Sequence, residues 1–394
     1  MKVLFLQDHL STGGAARAAS RFASGLRKLG VEVAVAAGDA TPGAGVIPVT
    51  GKPGRGWGRV RQLWQKKETQ IRERKVRAEL GWQEAIARTQ PDLIWVHNID
   101  GATKWGWSLD MVRIALRATP VLWTLHDMCA LGDGPSYFAE DQIKERWPGS
   151  PLRALQEGME NEKLRVLTPS IWLRELVRLV GAGPCAAWPN LLDLETFHPG
   201  PREKIRREIG LKQDDILLLA AAENLADPRK GTDLLAEAWQ IVRDHPKVRL
   251  GLIGRNFPER FRADSRVFAF GVVALENRMA ELMAAADLFV HSARVESYGL
   301  VLEEAQACGT PVMAFAGGGV GETLKNGVTG WLLSFRSSET LAEKLGLILS
   351  QGPQLSSMRS DCRKFMEERH SPGVFASNWS EVTAKLGIKE ASSG

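Results

Sequence analysis

Two glutamates eight positions apart, Glu296 and Glu304, sit in the string HSARVESYGLVLEEAQACGTPVMAFAGGGVGETLKNGVTGWLL at residues 291–333. A strand ends near Ser292, Glu296 follows in a loop, Gly299 permits a tight turn, and a helix starts near Leu300 with Glu304 on it. A loop carboxylate and a helix carboxylate so spaced can face one cleft at different depths. The N–H groups of Gly299, Leu300 and Val301 open the helix, where no intrahelical carbonyl reaches them, and they suit a phosphate. The run Gly317–Gly319 is expected to open a further helix and to make a second anion-ready terminus.

A second group lies in AAENLADPRKGTDLLAEAW, residues 221–239, where a strand leads through a polar turn to Lys230-Gly231 and a helix. Lys230 is a point charge suited to a diphosphate, and Arg229 stands beside it. A third group is Gly13-Gly14, within Ser11–Ala15 after the first strand; glycines let a ligand approach the backbone, and the helix dipole favours an anion. The fourth is WTLHDM, residues 123–128, where His126 closes a strand and can donate to a hydroxyl or phosphate. His97, Asn98 and Asp100 in WVHNIDG close another strand and are candidates for the acceptor side. In α/β sheets, ligands gather at the carboxyl ends of strands.

Short apolar runs must position these residues. Strands are expected at Val3–Leu6, Val31–Ala36, Leu93–Val96, Val121–Leu125 and Val166–Thr168. A second set is expected at Ile216–Ala221, Val248–Ile253, Val267–Phe270, Leu288–His291, Val312–Phe315 and Trp331–Leu333. Between them, stretches such as Ala15–Leu29 and Thr232–Val242 space their apolar residues near the helical period. Continuous apolar strands alternating with helices imply parallel sheets covered on both faces. The fold class is therefore α/β, with two doubly wound domains. A Gly- and Pro-rich stretch near 181–201 separates 1–182 from 183–372, and the tail reads as helices at Ser338–Ser350, Leu355–His370 and Val374–Leu386.

Taken in order, these strings resemble the retaining glycosyltransferases of family 4, whose E-x7-E signature matches Glu296 to Glu304. The resemblance runs from Lys2 to about Leu349, also through PSIWL (169–173) and PNLLDLETFHP (189–199), and is patchy over 40–90. It implies the GT-B fold, in which two Rossmann-like domains with parallel sheets face each other across a cleft. The N-terminal domain would take the acceptor and the C-terminal domain the nucleotide-sugar, and a last helix at about 373–390 would cross back to the first domain. By this resemblance Glu296 meets hydroxyls of the donor sugar and Glu304 holds the ribose. Asn224, Arg229, Lys230 and the amides near Gly299 bind the diphosphate, while His126 orients sugar or acceptor. Family members often carry Arg five or six positions before the lysine; here those positions hold Leu225 and Asn224, and Arg229 or Arg255 is left to supply that charge. The segments GGAARAA and TLHDM resemble a subgroup that builds bacterial surface polysaccharides. The implied reaction moves a sugar, from a UDP-sugar in preference to a GDP-sugar, to a hydroxyl of a glycan or lipid-linked acceptor. No cofactor or metal is expected, since the chain has no DxD to hold a divalent ion. A nucleotide-sugar epimerase and a non-catalytic glycan- or nucleotide-sugar-binding protein remain as alternatives.

Composition bounds these readings. The chain has 394 residues, 44% hydrophobic and 25% charged, which excludes a largely disordered or membrane-spanning chain. Its net charge of +5 is uneven: residues 52–77 carry ten basic against two acidic side chains. Trp57, Val60, Trp64 and Ile71 share one helical face of that segment, so residues 55–77 read either as an interfacial helix for anionic lipid or as a helix packed on its own domain. No nucleic-acid module is present. The four cysteines are too dispersed for zinc and read as free thiols. The expected location is the cytoplasm, peripheral on the inner face of the membrane.

Overall fold

The computed structural model describes residues 1–10, 13–40, 43, 45–51, 67–99, 105–132, 136–158, 163–183, 185–351 and 354–388. It divides into two compact units, Met1–Leu191 with Pro372–Gly394, and Leu192–Ser371.

The first unit is built on seven strands: β1 (Lys2–Gln7), β2 (Glu32–Ala37), β3 (Val46–Pro48), β4 (Leu93–Val96), β5 (Val121–Thr124), β6 (Leu164–Thr168) and β7 (Cys185–Ala187). Their order is β3-β2-β1-β4-β5-β6-β7, and each pairing is parallel. Alternation along β1 explains its double burial. Leu4 and Leu6 enter the core on one face of the sheet, and Val3 and Phe5 the core on the other. The C-terminal helix Pro372–Lys385 packs on the second of these faces through Phe375, Trp379 and Val382. Trp379 stacks on Trp95 with ring centroids 5.9 Å apart, and Trp95 also stacks on Trp188 at 5.6 Å.

The second unit has six strands: β8 (Ile216–Asn224), β9 (Val248–Arg255), β10 (Val267–Gly271), β11 (Leu288–His291), β12 (Val312–Phe315) and β13 (Gly330–Leu333). Their order is β10-β9-β8-β11-β12-β13, again parallel throughout. Leu218 and Ala220 face one core, Leu217 and Leu219 the other. In both sheets the strand order reverses at the centre, between β1 and β4 and between β8 and β11. Loops leave in opposite directions there, opening the crevice in which such sheets bind ligands.

Two strands depart from the sequence expectation. β3 and β7 are three residues each, VIP and CAA, too short to register as apolar runs. β7 moves the boundary as well. Because Cys185 pairs with Val166 and Trp188 packs edge-on against Phe22, residues 183–191 belong to the first unit, and the division falls after Leu191 rather than after 182. Of the basic segment, residues 52–66 lie outside the described residues, Trp57 and Trp64 among them. The helix Lys67–Thr89 follows. There Ile71 is 58% exposed. Not every cation of the segment faces outward, however: Lys75 pairs with Asp110 at 2.5 Å, and Arg77 with Glu73 at 3.4 Å while donating to the carbonyl of Gly51 at 3.1 Å. No described helix is long and apolar enough to cross a membrane.

Candidate active site

In the second unit, the turn after β8 and the loop after β11 are bound backbone to backbone. Asp227 caps a single 3₁₀ turn, Pro228–Lys230, by accepting from the Arg229 amide at 3.0 Å. Gly231 follows with φ of +61° and opens the helix Thr232–Val242; a Cβ there would lie 1.9 Å from the carbonyl oxygen of Ser292. Ser292 donates its hydroxyl to the carbonyl of Lys230 at 2.9 Å, and the Arg294 amide donates to the carbonyl of Arg229 at 2.8 Å. The Arg294 guanidinium reaches both the Pro228 carbonyl (2.6 Å) and Asp233 (2.8 and 2.5 Å).

This zipper brings two of the sequence candidates together. Lys230 Nζ donates to Glu296 Oε2 at 2.6 Å. Burial opposes the charge on Glu296, yet the Lys230 ammonium beside it outweighs that effect and holds the carboxyl below its usual range. His291, at the end of β11, has Nε2 3.8 Å from Glu296 Oε2. Burial pushes the His291 imidazole down to about 4, so it is neutral near pH 7, and its Nε2 has no hydrogen-bond partner among the described residues. Sequence reading passed over His291, although it closes a strand, the feature that singled out His126.

The helix Leu300–Ala307 begins after Gly299 in the left-handed region and ends at Gly309, also left-handed. The candidate amides of Leu300 and Val301 occupy its first turn, and Glu304 is buried on it at 2% exposure. Its neighbour Glu303 is fully buried and held from three sides: Tyr298 donates to it at 2.6 Å, Arg369 at 3.2 Å, and His370 Nε2 lies 3.0 Å away. Glu303 is therefore a structural anchor that ties the Glu296–Gly299 loop to the end of the helix Gln354–Arg369; nothing in its sequence position marks it.

The glycine run at 317–319 does not open an α-helix. It leads into a 3₁₀ stretch, Gly318–Glu322, and the Gly319 amide is already used, donating to the carbonyl of Glu296 at 2.9 Å. Gly318, at φ of +63°, would place a Cβ 2.0 Å from that same carbonyl oxygen. The run is a seat for the Glu296 loop. Asn224 is likewise occupied, accepting from the Ala226 amide at 3.1 Å and from Asn256 at 2.8 Å. The Arg229 guanidinium folds back on Asp227 at 2.6 Å and Arg255 pairs with Glu223 at 3.3 Å, so neither candidate for the missing arginine charge points away from a carboxylate.

In the first unit, the ends of β1, β4 and β5 carry their own polar group. His97 Nδ1 and His126 Nε2 share a hydrogen bond of 3.0 Å with rings stacked at 5.2 Å. His97 is buried and His126 half-buried, and both are held neutral, His126 down to about 4 by desolvation and His97 well below its usual value by desolvation and the adjacent His126. His97 is also stacked on Phe5 and Trp95 at 5.4 Å each, which fixes the ring. Asn98 donates to Asp8 at 3.3 Å; Asp8, buried at the end of β1, was not among the sequence candidates. Gly13 caps the helix Gly14–Lys28 with φ of +91°, and Gly14 is exposed at its start. Ser11, Thr12 and Asp100 lie outside the described residues. Among the described residues no cluster of three or more His, Cys, Asp or Glu could hold a metal ion.

The family model described as Glycosyltransferase Family 4 matches residues 12–196, and that described as Glycosyl transferases group 1 matches residues 201–368. The D-inositol 3-phosphate glycosyltransferase of Kribbella flavida is 30% identical over 251 residues, covering 59% of this chain and 58% of that protein. The one from Frankia alni is 35% identical over 177 residues, covering 41% and 43%. The chain thus spans about half the length of the curated relatives it matches. Among solved structures, Anabaena HepE in complex with UDP and glucose superposes with a TM-score of 0.71 at 23% identity, over 98% of this chain and 99% of that one. Sucrose-phosphate synthase from Thermosynechococcus elongatus reaches 0.76 at 20% identity, over 98% and 99%. The chain thus carries in turn the domains described as Glycosyltransferase Family 4 and Glycosyl transferases group 1, on the GT-B fold.

Proposed function

We propose that this chain transfers a sugar from a nucleotide-sugar, a UDP-sugar by preference, to an acceptor hydroxyl with retention of anomeric configuration and without a metal. The observation that carries the reading is the Lys230–Glu296 pair at the central crossover of the second sheet. Held ionised, Glu296 accepts hydrogen bonds from donor-sugar hydroxyls. Lys230 turns its ammonium to the diphosphate, and the amides of Gly299, Leu300 and Val301 add donors aimed at the departing oxygen. Fixed cations and dipoles placed where charge develops supply the stabilisation that a bound divalent ion gives elsewhere. As the bond from the anomeric carbon to phosphate breaks, the acceptor oxygen bonds to that carbon on the same face and its proton passes to the leaving phosphate. Glu304 would hold the ribose. In the first unit His126, kept neutral against His97, would orient the sugar or acceptor, with Asn98 and Asp8 near it.

For the acceptor, the subgroup resemblance favours a glycan or lipid-linked hydroxyl in surface polysaccharide or glycolipid synthesis. The curated relatives favour a second reading, a phosphorylated inositol. A peripheral membrane site through 55–77 belongs with the lipid-linked reading. Changing Trp57 and Trp64 together to Ser is expected to weaken binding to anionic vesicles and to spare nucleotide binding; unchanged vesicle binding removes the membrane site.

The central test joins ligand stabilisation to turnover. UDP in EDTA is expected to raise the melting temperature by mass action. Glu296→Gln is expected to keep that shift while sugar transfer falls at least roughly tenfold, about 1.4 kcal/mol of transition-state stabilisation. No shift with UDP, GDP or ADP turns the reading toward the non-catalytic alternative, and full turnover in the variant removes Glu296 from the reaction.

A further inference from the structure

The Lys230 ammonium has two claims on it. It holds the Glu296 carboxylate at 2.6 Å, and it is the charge that the proposed reaction turns to a diphosphate. Among the described residues it is the one group that donates a hydrogen bond to that carboxylate. When Lys230 turns away, Glu296 loses its partner. Its side chain is only 18% exposed, so water restores little of what is lost. An ionised group largely withdrawn from water is costly without a partner, and another donor must take the place of the ammonium.

His291 stands where that donor is needed. It is the last residue of β11, a strand paired with β8 on one side and β12 on the other. Its side chain is 6% exposed, and its Nε2 has no hydrogen-bond partner among the described residues. A buried polar atom of this kind is itself unfavourable. Nε2 lies 3.8 Å from Glu296 Oε2, about 1 Å beyond hydrogen-bond distance. Both backbones are fixed. The sheet holds His291, and the Gly319 amide donates to the carbonyl of Glu296 at 2.9 Å. Closing the gap therefore falls to the side-chain torsions of Glu296. The charged groups that face His291 are Glu296, which favours a proton on the ring, and Lys230, which opposes one. With the ammonium withdrawn, the carboxylate acts on Nε2 alone and favours the neutral tautomer that carries its proton there. A carboxylate has two oxygens and several lone pairs, so Oε2 can accept from the imidazole while Oε1 stays open to sugar hydroxyls.

We propose that His291 is a positioning residue for Glu296: when Lys230 turns to the diphosphate, the His291 Nε2–H replaces it as the donor to Glu296 Oε2. The Lys230–Glu296 pair is then the resting contact of the site, and His291 keeps the carboxylate aimed once that contact opens. This role rests on the reading that the site takes a nucleotide diphosphate.

The test separates the hydrogen bond from the reaction. Lys230→Met withdraws the ammonium with no ligand present, and NMR of isotope-labelled imidazoles reads the consequence, the His291 signal being identified by its loss in His291→Gln. The His291 Nε2–H proton is expected to move downfield in Lys230→Met, as a hydrogen bond to a carboxylate requires, and to return when Glu296→Ala is added. Circular dichroism and melting temperature establish that the variants are folded, and Lys230→Leu serves if Lys230→Met is not. Kinetics supply the second arm, read as release of UDP from UDP-glucose. His291→Leu, apolar as its buried place requires, is expected to lose at least about tenfold in kcat with KM and the UDP-induced melting shift near wild type. His291→Gln, whose amide keeps a donor close to the Nε2 position, is expected to recover most of that loss. The role is overturned if Lys230→Met produces no downfield shift, if the shift persists without Glu296, or if the Leu and Gln variants fall equally, which leaves His291 a structural residue. If the wild type releases no UDP, it is the sugar-transfer reading that fails, and the NMR comparison decides the role of His291 by itself.

Discussion

Lys230 and Glu296 stand 66 positions apart in the chain and meet at 2.6 Å. Their types could be read as chemistry from the sequence; that each is the other's counter-ion could not, because the distance depends on how two loops leave neighbouring strands. The same holds for Arg229. Its place beside Lys230 suggested a phosphate ligand, yet its nearest carboxylate, Asp227, captures it first. His291 offers a test at this scale. Its folded-state value, about 4, lies below the ordinary imidazole value, so the unfolded chain takes up a proton that the folded chain refuses. Stability present above about pH 6.5 is therefore lost as the pH falls toward 4, by about 2 kcal/mol between pH 6.5 and 4.5 for this group. Urea midpoints of the wild type and His291→Gln at those two pH values check it: the variant's loss on acidification is expected to be the smaller. Equal losses would mean that His291 charges freely in the folded state.

Among the elements, the loop Ala293–Tyr298 is held by what surrounds it. Glycine at 231 and 318 lets two backbones come within contact of Ser292 and Glu296, and Glu303 secures Tyr298 from below. Gly318→Ala combines a left-handed backbone with a clash against a carbonyl that has no flexible end to yield. It is expected to destabilise the second unit by about 1–3 kcal/mol and to displace Glu296. Turnover should consequently fall further than for Gly321→Ala, where an added Cβ meets only Leu332 at an ordinary 3.5 Å. Equal, near-normal turnover in both would separate the glycine seat from function. At this scale the sequence announced that glycines were needed, and expected a helix start where the chain forms a 3₁₀ stretch. A glycine at a helix-like start and a glycine packed under a neighbouring loop have the same local pattern; only the approach of residue 296, over twenty positions earlier, distinguishes them.

Across the whole chain, the first unit is completed by its own C-terminus. Phe375 and Trp379 bury themselves against Phe22, Trp95 and Trp188. A Trp buries about 150–250 Å² at about 25 cal/mol per Å², so Trp379 by itself contributes on the order of 4–6 kcal/mol as an upper figure. Ending the chain after Ser371 is therefore expected to expose an aromatic face and to destabilise the first unit while leaving the second folded. Differential hydrogen exchange read out by mass spectrometry checks this: protection should drop in β1, β4 and β6 and persist in β8, β11 and β12. Undiminished protection of β1 and β4 would show that the helix is dispensable.

The sequence by itself determined the alternation of apolar strands and amphipathic helices, hence two parallel α/β sheets, since a strand buried on both faces must be apolar at every position and its periodicity is local. It also determined that carboxylate, lysine and histidine chemistry would cluster after strands, because polar residues cannot enter those runs. Tertiary structure alone decided the edges and the partners. β3 and β7 owe their strand conformation to the neighbours they pair with rather than to their three residues, and β7 carries the unit boundary to Leu191 with it. Asp8 against Asn98, Glu303 against Arg369, and Glu296 on the glycine seat are likewise products of tertiary packing. Contacts between distant positions depend on strand order and loop direction, and no local pattern of residue types encodes either.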